Sequence, residues 1–140
     1  MFGSTNLQIT KFDYDRLIQI IHNHKNTYSD TSNNPVGILS KKICSAKKID
    51  SKKIPSDHVT MNSKIKLVNL GKPQSCVMTL VFPDDADSEN GKISILSEIG
   101  ASVFGYRIGD VIKCKNKNEE KYLQIEQILY QPEAAGDYHL

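Results

Sequence analysis

Apolar positions along this chain follow two rhythms, and the change between them falls near Pro55. Upstream, Tyr14, Leu17, Ile18 and Ile21 recur at i, i+3, i+4 and i+7, the spacing that lines one helix face, and predict a helix from about Lys11 to Lys25. Thr10 and Asp13 precede that series at capping-box spacing. Asn26 to Asn34 is Asn, Thr, Ser and Asp around Tyr28, residues whose side chains compete for backbone hydrogen bonds, and reads as a loop. Pro35 suits a first helical position, and Val36, Leu39, Ile43 and Ala46 share one face of a second helix reaching about Lys48. Two short amphipathic helices joined by a polar loop predict an antiparallel, coiled-coil hairpin.

Downstream the period falls to two. Lys64 to Leu67 alternates as a half-exposed strand, and Gly71-Lys72-Pro73 turns. Cys76, Met78, Leu80 and Phe82 then alternate with Val77, Thr79 and Val81 in a longer, more buried strand. Lys92 to Leu96 predicts a third strand. Ser97 caps a short helix that carries Glu98 in its first turn, Ile99, Val103 and Phe104 on one face, and Gly105 as its stop. Asp110 to Lys115 and Lys121 to Tyr130 predict a hairpin around Asn116-Lys117-Asn118. In its second strand Leu123 and Ile125 keep one phase while Ile128 and Tyr130 keep the other, which predicts a bulge near Gln127. Pro132 ends the pairing, and Glu133 to Leu140 is a short polar tail. The fold class is α+β, with a helical hairpin over residues 1–54 and an antiparallel sheet crossed by one short helix over residues 55–140.

Composition refines this in a few places. A chain of 140 residues, 39% hydrophobic, can bury the core of one globular domain with a helical appendage. No apolar run approaches the roughly 20 residues of a membrane span, and Met1 to Thr10 lacks the regions of a secretory signal, so a cytoplasmic address is expected. Cys44, Cys76 and Cys114 are odd in number and widely spaced, which favours reduced thiols packed in the interior over a disulfide framework or a zinc ribbon. The net charge is only +2, yet Lys41, Lys42, Lys47, Lys48, Lys52, Lys53, Lys64, Lys66 and Lys72 crowd the middle of the chain. Asp84, Asp85, Asp87, Glu89 and Glu98 crowd the stretch after it. Such a dipolar surface can orient approach to a charged partner, although each lysine taken singly reads as solvated.

The candidate chemistry is sparse. His22 and His24, two apart on a helix, point roughly 200° from each other and do not share a metal. His58 beside Asp57 has no accompanying nucleophile pattern, and reads as a surface or capping residue. Gly100, Gly105 and Gly109 are too widely spaced to cradle a phosphate. Asp84, Asp85 and Asp87 lack the glycine and distal glutamate of a calcium loop, and read as a solvated turn or a contact surface for a basic partner. No cofactor and no metal are expected. The lysine-rich middle lacks interleaved aromatics, and Arg16 and Arg107 are the only arginines, so direct sequence-specific nucleic-acid binding is not expected.

Gly91 to Gly105 with Gly109-Asp110, following Val81-Phe82-Pro83-Asp84-Asp85-Ala86-Asp87, resembles the C-terminal domain of the bacterial Gre transcript-cleavage factors, the GreA/GreB superfamily. Within it, Pro55-Ser-Asp-His-Val-Thr-Met-Asn-Ser63 and Tyr130-Gln-Pro-Glu-Ala-Ala-Gly-Asp-Tyr138 are most similar to the Rnk branch, the regulators of nucleoside diphosphate kinase. The similarity covers roughly Ile54 to Leu140. It implies an FKBP-like domain that docks on bacterial RNA polymerase near its secondary channel, bearing a coiled-coil arm. In Gre factors a long arm with an acidic tip helps hold a catalytic Mg²⁺. Here helices of about 15 residues reach only about 22 Å. The tip loop offers one acid, Asp30, a poor donor of the second ion that two-metal chemistry needs.

The resemblance therefore implies a non-enzymatic, monomeric regulator that binds polymerase in competition with Gre-type factors without stimulating cleavage. It would reach DNA only through polymerase and touch no membrane. The docking residues it implies are Asp84, Asp85, Asp87, Ser97, Glu98 and Ile99, with Glu98 standing where the family usually has proline. Two alternatives remain at this point. One is a peptidyl-prolyl isomerase, suggested by fold alone and short of aromatics for a proline pocket. The other is a lysine-belt nucleic-acid module with steeply salt-dependent binding.

Overall fold

The computed structural model describes residues 7–24, 34–72, 74–116 and 119–140. Asp30 at the expected arm tip, Pro73, and Lys117 and Asn118 of the last hairpin turn lie outside the described residues.

The chain opens with a short strand, β1 (Gln8–Thr10), and enters α1 (Lys11–His24) directly. The Thr10 hydroxyl starts that helix by accepting the Asp13 N–H at 2.9 Å. The reciprocal arm of a capping box is missing, because the Asp13 carboxylate turns away to the Met61 N–H, 3.0 Å distant. In α2 (Pro35–Ser45), Pro35 occupies the first turn and the Asn34 side chain accepts the Gly37 N–H at 2.8 Å. The expected apolar face is observed, with Val36, Leu39, Ile43 and Ala46 all buried.

This second helix stops at Ser45, short of the expected Lys48. Ala46 adopts extended backbone, the Lys47 N–H donates to the Leu7 carbonyl at 3.0 Å, and β2 (Lys47–Ile49) pairs in parallel with β1. Three-residue strands carry too little alternation to register as a period, which is why this small sheet was not predicted.

The remaining strands are β3 (Lys64–Asn69), β4 (Gln74–Val81), β5 (Lys92–Ser94), β6 (Val111–Asn116) and β7 (Glu119–Tyr130). They form one sheet in the order β5-β4-β3-β7-β6. Three of its pairings are antiparallel, as expected, but β5 runs parallel to β4. The purely antiparallel sheet is therefore corrected to a mixed one. The cause lies in the connection, where two 3-10 turns, Pro83–Asp85 and Ser88–Asn90, carry the chain back so that Lys92 starts beside Thr79. Alternation reports which face a side chain takes and carries no strand direction.

The register of β7 against β3 skips Glu126 and Leu129, so bulges flank Gln127 where one was expected. Leu129 is consequently turned outward, half exposed. β4 departs from its expected burial: Gln74 to Val77 are exposed, since β5 pairs only with Thr79 to Val81 and leaves the first half of the strand uncovered on that edge.

The short helix α3 (Glu98–Val103) touches both edge strands, β5 and β6, and closes the sheet's apolar face, with α2 packed behind it. A final turn, α4 (Pro132–Ala135), follows β7. The resulting fold is mixed α+β. One buried cluster joins Ile9, Leu17, Leu39 and Ile43 to Ile65, Leu80, Phe104 and Ile125, so a single core runs across the boundary expected at residue 54.

Three further expectations are corrected. Only Cys114 packs in the interior; Cys44 and Cys76 are exposed, one on the outer side of α2 and the other on the uncovered half of β4. His58 is buried, drawn in by a bridge to Arg107 and by Gln131, whose side-chain amide donates to the His58 carbonyl at 2.7 Å. Lys42 is also buried: its ammonium group donates to the Ala101 and Ser102 carbonyls at 2.7 and 2.6 Å, at the carboxyl end of α3.

Burial lowers the Lys42 amine from 10.5 to about 7. The folded chain thus holds this proton less firmly than the unfolded chain, and stability gained from the group rises with pH between those two values. Lys42→Met removes that dependence. In urea titrations its stability relative to the natural chain is expected to be greatest near pH 6 and to decline steadily toward pH 9.5.

Candidate functional site

The reversal that makes β5 parallel to β4 also decides what the acidic turn stands beside. Because the two strands run the same way, their carboxyl ends leave the sheet at one edge. From β4 emerges Phe82 and then the turn Pro83–Asp85, closed by the Asp85 N–H donating to the Phe82 carbonyl at 2.9 Å. From β5 emerges Ile95, whose N–H donates to the Val81 carbonyl at 2.8 Å, and then Ser97 and α3. Asp84 and Asp85 are exposed, while Ser97, Glu98 and Ile99 are half-buried.

Ser97 fastens this edge. Its hydroxyl donates to the Ser94 carbonyl at 2.6 Å and accepts the Gly100 N–H at 3.1 Å, so one side chain ties the end of β5 to the first turn of α3. Gly100 is required there by close approach. A Cβ at this position would lie 2.2 Å from the Ser94 carbonyl oxygen. Glu98 follows the cap, where the helix dipole favours negative charge.

Asp87 is set apart from this group. Its backbone bridges Lys92 through two 2.9 Å hydrogen bonds, and its carboxylate accepts the Asn90 side-chain amide at 2.5 Å. It stands at the amino end of β5, about 7 Å along the strand from the carboxyl end that leads to Ser97. The acidic turn and the start of α3 thus follow the carboxyl ends of two neighbouring strands, and Asp87 stands at the opposite end of the shorter one. A cavity of about 280 Å³ opens behind Ile99, lined by Ile93, Glu98, Cys114, Lys121 and Leu123.

The acidic turn is braced from beneath by residues that sequence periodicity did not single out. The Arg16 guanidinium on α1 lies between the Phe12 and Phe82 rings, 3.8 and 4.6 Å from their centres, so the residue that opens the acidic turn stacks on α1. Arg16 also pairs with Asp13 and donates to the Leu140 carbonyl at 2.9 Å. Asp13 is fully buried, and burial raises its carboxyl above the usual range against the opposing pull of Met61 and Arg16.

Pro55 to Ser63 and Tyr130 to Tyr138, two of the segments that carry the sequence resemblance, lock onto each other. Thr60 donates to Glu133 at 2.7 Å, the Thr60 N–H donates to the Ser63 hydroxyl at 3.0 Å, and the Gln131 amide spans the Pro55 and His58 carbonyls at 2.9 and 2.7 Å. Burial likewise raises the Glu133 carboxyl. Sequence periodicity gives no signal for this network, since the partner of Thr60 in the tail lies 73 residues away.

Four of the lysines expected as a belt are buried or engaged by neighbouring side chains. Lys42 is interior, Lys48 stacks on Tyr14, Lys52 on Tyr138, and Lys66 pairs with Glu126. The two cavities beside α3 include a single aromatic among their lining residues, Tyr106, which gives a proline pocket no support. No helix among the described residues is long and apolar enough to cross a membrane.

Comparison with known proteins bears on this geometry. Residues 54–130 match the family described as transcription elongation factor GreA/GreB, C-terminal. The chain is 36% identical over 103 residues to a protein named regulator of nucleoside diphosphate kinase from Escherichia coli K12, covering 73% of this chain and 76% of that one. It is 34% identical over 97 residues to the transcription elongation factor GreA of Chlorobium phaeobacteroides, covering 68% of this chain and 61% of that one. Among solved structures, the GreA/GreB factor from Nitrosomonas europaea superposes with a TM-score of 0.73 at 25% identity, covering 89% of this chain and all of that one.

Proposed function

We propose that this chain, which belongs to the transcription elongation factor GreA/GreB family, is a non-enzymatic cytoplasmic regulator that binds bacterial RNA polymerase near the secondary channel. It docks through the edge formed by Asp84, Asp85, Ser97, Glu98 and Ile99, with Asp87 as an outlying contact. The observation that carries this reading is the convergence of an exposed acidic turn and a serine-capped helix start at the carboxyl ends of two parallel strands. An exposed carboxylate pair on a turn braced by Phe82 and Arg16 can meet a basic surface without first being ordered, and ordering costs affinity. Glu98 adds a third charge to that edge.

The sheet and α3 form the FKBP-like landing module, and α1 and α2 form an antiparallel prong that enters the channel. At about 1.5 Å per residue, the 14 residues of α1 extend about 21 Å. The free part of the prong is shorter than that, because Asp13 and Leu17 of α1 and Leu39 and Ile43 of α2 are buried in the core. With Asp30 as the one acid between the two helices, it occupies the place of a Gre-type factor without supplying the second metal ion for cleavage. The chain acts as a monomer, reaches DNA only through polymerase, and influences nucleoside diphosphate kinase as its Escherichia coli relative is named for doing.

A pull-down with core polymerase tests the docking edge. Substitution of Asp84, Asp85 and Asp87 together by Asn is expected to weaken binding at least about tenfold and to flatten its salt dependence. Undiminished binding by the triple variant removes the site assignment. No binding by the natural chain removes the function.

A further inference from the structure

Between α2, α3 and β6 lies a cavity of about 370 Å³, separate from the docking edge, lined by Ile38, Lys42, Ser102, Tyr106, Ile112 and Lys113. Lys42 is 6% exposed and is one of the residues that line it. A neutral amine has two N–H bonds, and the Ala101 and Ser102 carbonyls, 2.7 and 2.6 Å away, accept both. A neutral amine engaged in this way keeps one lone pair that neither carbonyl uses. No ion pair to Lys42 occurs among the described residues. The Tyr106 ring covers the amine with its centre 4.5 Å away. On the same wall Lys113 supplies a half-exposed cation, held by Glu120 at 3.4 Å.

We infer that Lys42 is a covalent modification site, acylated on Nζ by a small acyl phosphate that enters this cavity with its phosphate toward Lys113. The Nζ lone pair attacks the acyl carbon and forms a C–N bond. The bond from that carbon to the phosphate oxygen breaks, and its electron pair leaves with inorganic phosphate. The amine's surplus proton passes to the departing phosphate or to water. Lys113 favours both the approach of the donor and the departure of the leaving group, and the cavity has room for a two-carbon acyl chain.

Burial supports the chemistry, since an amine brought down to about 7 is half unprotonated at neutral pH. An ordinary lysine near 10.4 is unprotonated in only about one molecule in 2,500 there. The titratable groups facing Lys42 do not reverse this. Burial raises the Cys114 thiol on β6 and the Tyr106 hydroxyl, so both are uncharged at neutral pH, and Lys113 adds a positive charge that opposes protonation. The product amide keeps one N–H. One of the two carbonyls therefore loses its donor, and the seam between α2 and α3 loosens.

The test uses the intact folded chain with acetyl phosphate and reads each lysine by peptide mass spectrometry from pH 6 to 9. At pH 7 Lys42 is expected to acetylate at least about tenfold faster than the exposed Lys53, Lys64 and Lys72, with its rate levelling above pH 8 while theirs continue to climb. In urea that advantage is expected to vanish. Lys113→Gln is expected to slow acetyl phosphate labelling of Lys42 several-fold and to leave labelling by the uncharged reagent phenyl acetate unchanged. Labelling of Lys42 no faster than that of the exposed lysines, or a rate rising with theirs through pH 9, overturns the site. An equal effect of Lys113→Gln on both reagents overturns the phosphate orientation.

Discussion

Asp13→Ala is expected to destabilise the fold by about 3 kcal/mol or more, the scale of removing one partner from a buried ion pair. Asp13 is fully buried and serves two groups at once: its carboxylate accepts the Met61 N–H and pairs with Arg16. Alanine leaves a buried N–H without an acceptor, which alone costs about 1–3 kcal/mol. It also leaves a guanidinium without its anion. Because the Arg16 side chain is 24% exposed, water recovers part of the second loss, which keeps the total near the lower end of the range. In a chain of this size the melting temperature is expected to fall by roughly 10 °C. Asp13→Asn keeps an acceptor for Met61 and is expected to lose about half as much. Equal melting temperatures for Asp13→Ala and the natural chain would show that this network does not fasten α1 to the sheet.

The second large effect is at Gly100. Its missing side chain lets α3 sit against the end of β5, and the alanine methyl would fall 2.2 Å from the Ser94 carbonyl oxygen. That neighbour is backbone held in a parallel strand pair, so it cannot turn aside as a side chain would. Alanine improves helix propensity by about 1 kcal/mol. Overpacking costs about 1–3 kcal/mol where neighbours can adjust, and here the upper end applies. Gly100→Ala is therefore expected to lower stability by about 2 kcal/mol net, in urea titrations, and to weaken polymerase binding. Displacing α3 shifts Ser97, Glu98 and Ile99 from their place at the end of β5. Unchanged polymerase binding would show that the first turn of α3 is not part of the docking edge.

What the sequence makes legible here is local. The apolar face of α2, the Ser97 cap, the bulges around Gln127 and the change of period near Pro55 all depend on residues within a few positions of one another, and each appears where the pattern places it. Direction and long-range partners are a different matter. Nothing in the alternation of Lys92 to Leu96 distinguishes a parallel from an antiparallel neighbour, yet that choice puts the carboxyl ends of β4 and β5, which lead to the acidic turn and to Ser97, at the same end of the sheet. Lys42 reads as one lysine among many until α3 ends against it. His58 reads as a surface or capping residue and Glu133 as part of a polar tail until that tail folds back across Pro55 to Ser63. The same docking of the tail makes Arg16, one helical residue among others in the sequence, the joint between α1, tail and acidic turn.

The docking claim can be tested by competition on polymerase itself. A fluorescently labelled Gre factor is bound to core RNA polymerase, and the unlabelled chain is added while anisotropy is followed, with cleavage of a backtracked transcript measured in parallel. Displacement of the labelled factor with saturation, accompanied by loss of cleavage, is the outcome predicted for a short-armed occupant of the same landing place. Retention of the label at saturating chain, or acceleration of cleavage by the chain alone, would contradict it.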